Sequence, residues 1–222
     1  MSSIADEIGQ LNMELPTSTR LVAVSKFHPA EQIMAAYEAG QRIFGESRVQ
    51  ELCEKASTLP NDIEWHLIGH LQTNKVRLVV PFVSLIHSVD SHKLLLEINK
   101  EGEKIRRSVP CLLQIHIANE DTKFGFSPQE CKQMLHSGIW RDLKYVQIRG
   151  LMGMATLTEN KAVILSEFRL LQHIFNGIKS KYGADLNRFN ELSMGMSADY
   201  PLAIECGSTL VRIGSRIFGD RY

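Results

Sequence analysis

The sequence predicts an α/β protein whose residues 1–222 form one domain, a (β/α)8 TIM barrel. Eight β-type segments alternate with helix-type segments, and each crossover is long enough to let successive strands pair in parallel. Gly and Pro residues separate the segments, and no stretch rich in Pro, Gly and Ser divides the chain. An open doubly wound sheet is the alternative. The barrel is favoured because both the Gly-rich dinucleotide turn and the Walker phosphate loop are absent.

The predicted helices show apolar residues at helical spacing or suitable residues at their ends. An extra helix is expected before the barrel, at about Ser3–Leu15, where apolar residues recur every three or four positions. The strongest pattern lies in Asn160–Tyr182, whose apolar residues share one face. Other predicted helices are marked by Pro at the first helical position or by Gly at the end. The remaining helices are Pro29–Gly40, Val49–Ser57, Asn74–Val80, one capped by Asp90 or Ser91, one from Ser127 with Pro128 first, and Pro201–Cys206.

The predicted strands are short runs of apolar and β-branched residues, the composition that suits a buried parallel sheet. Each is followed by a helix, except the last, which is followed by a short turn. In chain order they are Arg20–Lys26, Ile43–Ser47, Trp65–Gly69, Leu85–Val89, Cys111–Ala118, Val146–Ala155, Glu191–Gly195 and Leu210–Gly214.

The composition argues against nucleic acids and membranes as partners. The 25 Lys and Arg residues balance the 25 Asp and Glu residues, so no overall field attracts a polyanion. The longest apolar run, Leu78–Val83, is far shorter than the ~20 residues of a membrane helix. Acidic residues stand where a secretory signal would be apolar, and the four cysteines form no CxxC pair. We therefore expect a cytoplasmic protein.

Lys26 is the first candidate for chemistry, because functional side chains of such barrels lie at the C-terminal ends of strands. Strand alternation puts Lys26 on the same face as Val22 and Val24. Partial burial there would favour the neutral amine, which can attack an aldehyde to form a Schiff base. The alternative is an ordinary solvated lysine at the junction of strand and loop.

The ends of strands seven and eight suggest an anion site. Gly214 and Ser215 follow strand eight, where barrels commonly bind phosphate through backbone N–H groups. Arg212 shares a strand face with Gly214, so it lies either inside the barrel, where it needs a partner, or in the outer layer. Gly214–Ser215 as an ordinary turn is the competing interpretation. Strand seven adds small residues that permit close approach to an anion: Ser193, Gly195 and Ser197.

Two further groups have simpler explanations. His66 and His70 have a helical metal-ligand spacing, but in a strand they would lie roughly 13 Å apart, too far for one ion. We expect hydrogen-bonded rings near the barrel mouth instead. Four methionines are expected to pack in the core rather than to line a pocket: Met152, Met154, Met194 and Met196.

Six motifs resemble those of the pyridoxal phosphate homeostasis protein family, and together they span almost the whole chain. They are VAVSK at 22–26, FGESRVQE at 44–51, WHLIGHLQTNK at 65–75, HSVDS at 87–91, GLMGMAT at 150–156 and LSMGMSADYPLAIECGSTLVRIGSRIFG at 192–219. The resemblance implies a barrel similar to the N-terminal domain of alanine racemase. It also implies binding of pyridoxal 5'-phosphate (PLP) and a role in vitamin B6 and amino-acid homeostasis.

The resemblance also implies roles for individual residues. Lys26 would hold PLP as a Schiff base, and Arg212 would face the pyridine nitrogen. The phosphate would be held by Gly214 and Ser215, together with Ser193 and Met194. One position departs from the family, whose second-strand motif usually reads FGEN. Ser47 stands in place of the Asn, and a hydroxyl is shorter and lacks the amide's paired donor and acceptor.

A PLP-binding carrier or regulator is favoured over two enzymes, a PLP-dependent racemase or decarboxylase and a Schiff-base aldolase that uses Lys26 without PLP. A cationic Arg212 disfavours the protonated pyridine that makes PLP a strong electron sink. The sequence ends at Tyr222, so no second domain is expected to shield the cofactor or to present an opposing base. We expect a monomer, with free amino acids and PLP-dependent apo-enzymes as further partners and no metal.

Overall fold

The eight strands close into a parallel barrel in which spatial order follows chain order, and β1 pairs with β8. The structure is a computed structural model that describes residues 3–119 and 124–219. The predicted fold class is confirmed. The strands are β1 Arg20–Val24, β2 Ile43–Glu46, β3 Glu64–Leu67, β4 Leu85–Val89, β5 Val109–Gln114, β6 Val146–Met152, β7 Glu191–Met196 and β8 Leu210–Ile213.

Helices surround the barrel, and the expected extra helix precedes β1 and packs against its neighbours α2 and α9. Within the described residues the α-helices are α1 Ile4–Glu14, α2 Ala30–Glu38, α3 Val49–Thr58, α4 Val76–Val79, α5 His92–Lys104, α6 Pro128–Ser137, α7 Lys161–Tyr182, α8 Tyr200–Glu205 and α9 Ser215–Phe218. Short 3-10 helices lie at Thr73–Lys75 and Ile139–Asp142. Among these described helices, none has the length and apolar character needed to span a membrane.

Helix starts agree with the capping residues in the sequence. The Ser91 hydroxyl accepts the Leu94 N–H, which assigns the cap of α5 to Ser91 rather than to Asp90. Ser127 caps α6 reciprocally with Glu130, and Pro128 occupies the first helical position.

The fifth and sixth strands are shorter at their C-terminal ends than the sequence pattern suggests. β5 ends at Gln114, although the apolar run continues to Ala118. Ile115 and Ile117 are nevertheless buried, so the apolar run reflects packing against the core beyond the end of β5. β6 ends at Met152, although the predicted strand continues to Ala155. Ala155 is buried as well, so it too packs against the core beyond the end of its strand.

Apolar packing forms two layers. The larger layer lies between the outer faces of the strands and the helices. A smaller cluster fills the barrel interior with inward-facing residues of five strands: Val22, Leu85, Leu112, Met152 and Leu210. Because Leu210 precedes Arg212 by two residues, this cluster lies directly below the C-terminal layer of interior side chains.

A charged cluster lies at the opposite, N-terminal end of the barrel. Glu191 begins β7 and accepts a hydrogen bond from Arg20 at 2.6 Å and from Arg149 at 3.4 Å. The carboxylate is buried, and both arginines are more exposed. This ion-pair cluster therefore seals the end of the barrel far from the C-terminal strand ends.

Removing interior volume is expected to destabilise the barrel. Leu112→Ala deletes a side chain that is 0% exposed, so it should lower the free energy of unfolding by about 2–5 kcal/mol. The same change at Leu96 on α5, which is 45% exposed, should cost about 1 kcal/mol or less. Urea unfolding of the two variants measures the difference. Equal losses would contradict the assignment of Leu112 to a packed interior.

Candidate functional site

A cavity of about 550 Å³ opens at the C-terminal ends of the strands. Four residues predicted from the sequence line it together: Lys26, Arg212, Gly214 and Ser215. They come from the two ends of the chain, and the pairing of β1 with β8 brings them side by side. Ser47, at the position that departs from the family motif, also lines this cavity.

Lys26 is half-buried and lies in a tight turn that directly follows β1. The Ser25 carbonyl accepts the His28 N–H at 3.1 Å, which closes the turn. Phe27 occupies the third position with φ 69°, a left-handed conformation that usually requires glycine or asparagine. Such a conformation costs on the order of 1–3 kcal/mol and persists only where its surroundings enforce it. The carboxylate of Glu51 accepts the Phe27 N–H at 2.6 Å.

Arg212 lies inside the barrel, which decides between the two positions left open by the sequence. Its Nη1 donates to the Ser193 hydroxyl at 2.6 Å, and its Nη2 donates to the Gly153 carbonyl at 3.1 Å. Burial lowers the pKa of Arg212 to about 10, so the guanidinium is protonated at neutral pH. No carboxylate in the described part of the chain forms an ion pair with it. A buried cation with neutral partners favours an electron-rich ligand atom.

Ser193 and Met194 lie beneath the cavity rather than in its lining. Both are fully buried. The Ser193 hydroxyl contacts Arg212, and the Met194 carbonyl accepts a hydrogen bond from Ser208 at 2.7 Å. Their positions therefore give no support to the expected contact with phosphate, because their polar groups already serve the protein interior.

Ser197, another of the small residues expected near an anion, lines the cavity, whereas Ser193 does not. Ser197 directly follows the end of β7, and its hydroxyl accepts the Gly214 N–H at 3.3 Å. The sequence contains a signal for this difference, since barrel sites use residues just after a strand rather than residues within it.

The turn after β8 presents polar groups to the cavity. A Cβ at position 214 would lie 3.0 Å from the Val24 carbonyl oxygen, so glycine allows the chain to pass close to β1. The first N–H groups of α9 have no acceptor within the helix, as at every helix start. The exposed Ser215 adds its hydroxyl. Together with Ser197, these groups form a set of donors suited to an oxyanion.

Two buried histidines extend the contacts of Arg212 across the barrel. His87 lies 2.9 Å from the Ser193 hydroxyl through Nδ1 and 2.9 Å from His66 Nδ1 through Nε2. Arg212 is donor-only, so the arrangement that uses every hydrogen runs from Arg212 through Ser193 and His87 to His66. Burial lowers the pKa of His66 to about 3 and that of His87 well below its usual value. Both rings are therefore neutral and add no charge beside the guanidinium.

His66 and His70 thus have separate roles, as their strand spacing suggests. His66 lies in the interior, whereas His70 lies at the cavity mouth, where its Nδ1 is 3.0 Å from Asp90 and its ring packs on Phe124. No group of side chains in the described residues is arranged to hold a metal ion.

The four methionines do not behave as one group. Met152 and Met194 are buried in the core, as expected. Met154 and Met196 are partly exposed and line the cavity, so the expectation of core packing is wrong for them. The strand ends separate the two pairs, because Met154 lies beyond the end of β6 and Met196 is the last residue of β7.

Comparison with known proteins places the chain in a family. Residues 1–222 match the family described as alanine racemase, N-terminal domain. The pyridoxal phosphate homeostasis protein of Synechocystis sp. is 40% identical over 209 residues, which cover 93% of this chain and 94% of that protein. The protein of the same name from Schizosaccharomyces pombe is 37% identical over 208 residues, covering 90% and 84%. This chain belongs to the pyridoxal phosphate homeostasis protein family.

Solved structures agree with this membership of the pyridoxal phosphate homeostasis protein family. PipY of Synechococcus elongatus PCC7942, without PLP, has a TM-score of 0.92 at 40% identity and covers 98% of this chain and 100% of that chain. The same protein with PLP bound has a TM-score of 0.88 at 39% identity. Alanine racemase from Clostridium difficile 630 has a TM-score of 0.78 at 13% identity, and this chain covers 56% of it. That last likeness concerns the fold alone.

The buried histidine pair is expected to make stability depend on pH. Between pH about 6.5 and about 3 the unfolded chain binds a proton at His66 that the folded protein excludes. Stability should therefore fall as the pH is lowered through this window, by up to about 1.4 kcal/mol per pH unit for His66.

Urea unfolding of the cofactor-free protein at several pH values between 7 and 5 tests this expectation. His66→Gln should show a shallower dependence than the wild type, whatever its absolute stability. His173→Gln, at an exposed position on α7, should keep the wild-type slope. Identical slopes for all three proteins would refute burial of a neutral His66.

Proposed function

We propose that this protein binds PLP covalently through Lys26 and acts in PLP and amino-acid homeostasis. The observation that carries the proposal is the convergence of Lys26, Arg212, Gly214 and Ser215 on one cavity at the C-terminal end of the barrel. Support also comes from homologues named pyridoxal phosphate homeostasis protein and from the PLP-bound structure of PipY.

The residues of the cavity fit the chemistry of PLP. The cofactor supplies an aldehyde, whose carbon forms a reversible C=N bond with a primary amine as water leaves. Lys26 would supply that amine. The N–H groups after β8, with the hydroxyls of Ser197 and Ser215, would bind the phosphate dianion. Arg212 would face the pyridine nitrogen.

Arg212 gives the site the character of a binder rather than of an efficient enzyme. A guanidinium donates hydrogen bonds but accepts none, and it is charged at neutral pH despite its burial. It would therefore stabilise an unprotonated pyridine nitrogen, the form with the weaker electron-withdrawing power. Ser193 and the Gly153 carbonyl hold the guanidinium in place, so this preference is built into the barrel interior.

We further propose that the protein is a cytoplasmic monomer that exchanges PLP with free amino acids or PLP-dependent apo-enzymes. The exchange requires the bound cofactor to be reachable, and the cavity opens at the protein surface beside partly exposed side chains such as Met154 and Met196. The balance of 25 basic and 25 acidic residues supports a partner that is neither a nucleic acid nor an anionic membrane.

The purified protein with PLP should show an absorption band that is absent from free PLP, and borohydride should fix the cofactor to Lys26. Lys26→Ala should abolish both the band and the adduct, because Lys26 is the only lysine among the described residues that line the cavity. Lys161→Ala, at an exposed lysine that begins α7, should leave both unchanged. Peptide mass spectrometry locates the adduct. A wild-type protein that stays colourless with PLP would exclude the proposal.

Ser197→Ala and Ser215→Ala should weaken binding of PLP but not of pyridoxal, which has the aldehyde and no phosphate. Loss of one hydrogen bond to a charged group corresponds to roughly a tenfold to hundredfold weaker affinity. Ser166→Ala, on α7, serves as the control. Titrations followed by absorbance compare the two ligands. Parallel losses for PLP and pyridoxal would argue against a phosphate contact at these serines.

A further inference from the structure

We propose that Lys55, with Glu46 and Glu51, is a positioning residue that fixes the turn carrying Lys26. This inference rests on the proposed role of Lys26 as the attachment point of PLP. Lys55 and Glu46 are buried and Glu51 is partly buried. The three form a network on the outer side of the barrel, behind the cavity, and none of them lines the cavity itself.

Lys55 uses its whole hydrogen-bonding capacity within this network. Its buried ammonium donates to the Ser25 carbonyl at 2.7 Å, to Glu46 Oε1 at 2.8 Å and to Glu51 Oε1 at 2.7 Å. An ammonium has three N–H donors, so each has an acceptor. Helix α3 thereby contacts the end of β1, the end of β2 and its own first turn through one side chain.

The acceptors of Lys55 also hold the two residues that flank Lys26 in the chain. On one side, the Ser25 hydroxyl donates to Glu46 Oε1 at 2.6 Å. On the other side, the Phe27 N–H donates to Glu51 Oε1 at 2.6 Å. Backbone on both sides of Lys26 is therefore tied to a single ammonium group.

The geometry of the turn explains why such support is needed. Phe27 has φ 69°, which a residue with a Cβ rarely adopts without external support. Glu51 binds the N–H of this residue, and Lys55 binds the carbonyl that closes the turn. If the network is lost, Phe27 can relax toward negative φ, and the direction in which Lys26 leaves the backbone changes.

Stability alone is a poor explanation for the network. Buried ionic groups are costly to desolvate, and apolar replacements of similar size are often neutral or stabilising. Glu46 illustrates the cost, because within the described residues its Oε2 has no hydrogen-bond partner. Burial also raises the pKa of Glu46. The cluster is costly to bury, yet it hydrogen-bonds to both neighbours of Lys26. A role in positioning Lys26 therefore explains it better than a role in stability.

Lys55→Met tests the inference against a matched control. The variant removes the ammonium but keeps an unbranched apolar chain. Glu191→Gln serves as the control. It removes the negative charge of a buried carboxylate that pairs with two arginines at the opposite end of the barrel. Thermal unfolding of both variants measures their general loss of stability, against which the effects at Lys26 are compared.

Two measurements report on Lys26 itself. In the cofactor-free protein, acetylation of Lys26 by an N-hydroxysuccinimide ester is followed by peptide mass spectrometry, with exposed Lys161 as the internal reference. In the second measurement, the rate of borohydride-trapped PLP attachment is compared with the affinity for pyridoxine 5'-phosphate, which has the phosphate but no aldehyde.

We expect Lys55→Met to change the acetylation rate of Lys26 relative to that of Lys161. PLP attachment should become about tenfold to a hundredfold slower, because misplacing a reacting group by roughly 1 Å has an effect of this size. Affinity for pyridoxine 5'-phosphate should stay within about twofold, because the phosphate site is intact. Glu191→Gln should change none of these quantities. Equal effects of the two variants, or an unchanged Lys26 in Lys55→Met, would overturn the inference.

A second substitution tests the turn directly. Glycine adopts φ 69° without strain, so Phe27→Gly in the Lys55→Met background should restore part of the attachment rate. No recovery would contradict the role of the turn. If Lys55→Met does not fold, Glu51→Ala replaces it, because Glu51 is partly exposed and water can satisfy the Phe27 N–H.

The outcomes separate this inference from the proposed function. If wild-type Lys26 forms no adduct with PLP, the proposed function fails, whereas acetylation of the cofactor-free protein still shows whether Lys55 controls the exposure of Lys26. If wild-type Lys26 binds PLP and Lys55→Met behaves like Glu191→Gln, only the positioning role fails.

Discussion

The candidate site depends on the pairing of the first strand with the last. β1 and β8 run in parallel with Val22 opposite Arg212, so the residues that follow each strand emerge at the same edge of the barrel. Lys26 and the Gly214–Ser215 turn lie close together only because the sheet closes. Glycine at position 214 permits this approach, since a Cβ there would press on the Val24 carbonyl. Barrel closure is therefore the physical condition for a site that joins an amine to a set of oxyanion donors.

Above its apolar layer, the barrel interior is unusually polar. Arg212, Ser193, His87 and His66 form a continuous chain of hydrogen bonds, and each of these side chains is buried. The histidines remain neutral, so among these four side chains only the guanidinium is charged. The interior can thus orient a cation under the cavity without placing a charged histidine beside it. Such an arrangement suits a site that binds its ligand in one electronic form and holds it.

The sequence was informative where a local rule applied. Strand ends indicated Lys26, Gly214 and Ser215, which all line the cavity, and the capping pattern identified Ser127 as a helix start. Ser193 and Ser197, which the sequence indicated together, show where local rules are weaker. Both serines lie in one segment of small residues, and only the position at which β7 ends distinguishes the buried hydroxyl from the one in the cavity. The division of the methionines into core and cavity has the same cause.

The sequence by itself determined the alternation of strands and helices, the barrel, the family and most residues at the barrel mouth, because these follow from periodicity and from motifs of adjacent residues. Only the tertiary structure decided that Arg212 lies inside, that His87 joins it to His66, and that Lys55 holds the neighbours of Lys26. These contacts join residues from 19 to 106 positions apart in different parts of the chain. Their partners are set by barrel closure and helix packing, and no local pattern of residues encodes which polar groups will meet.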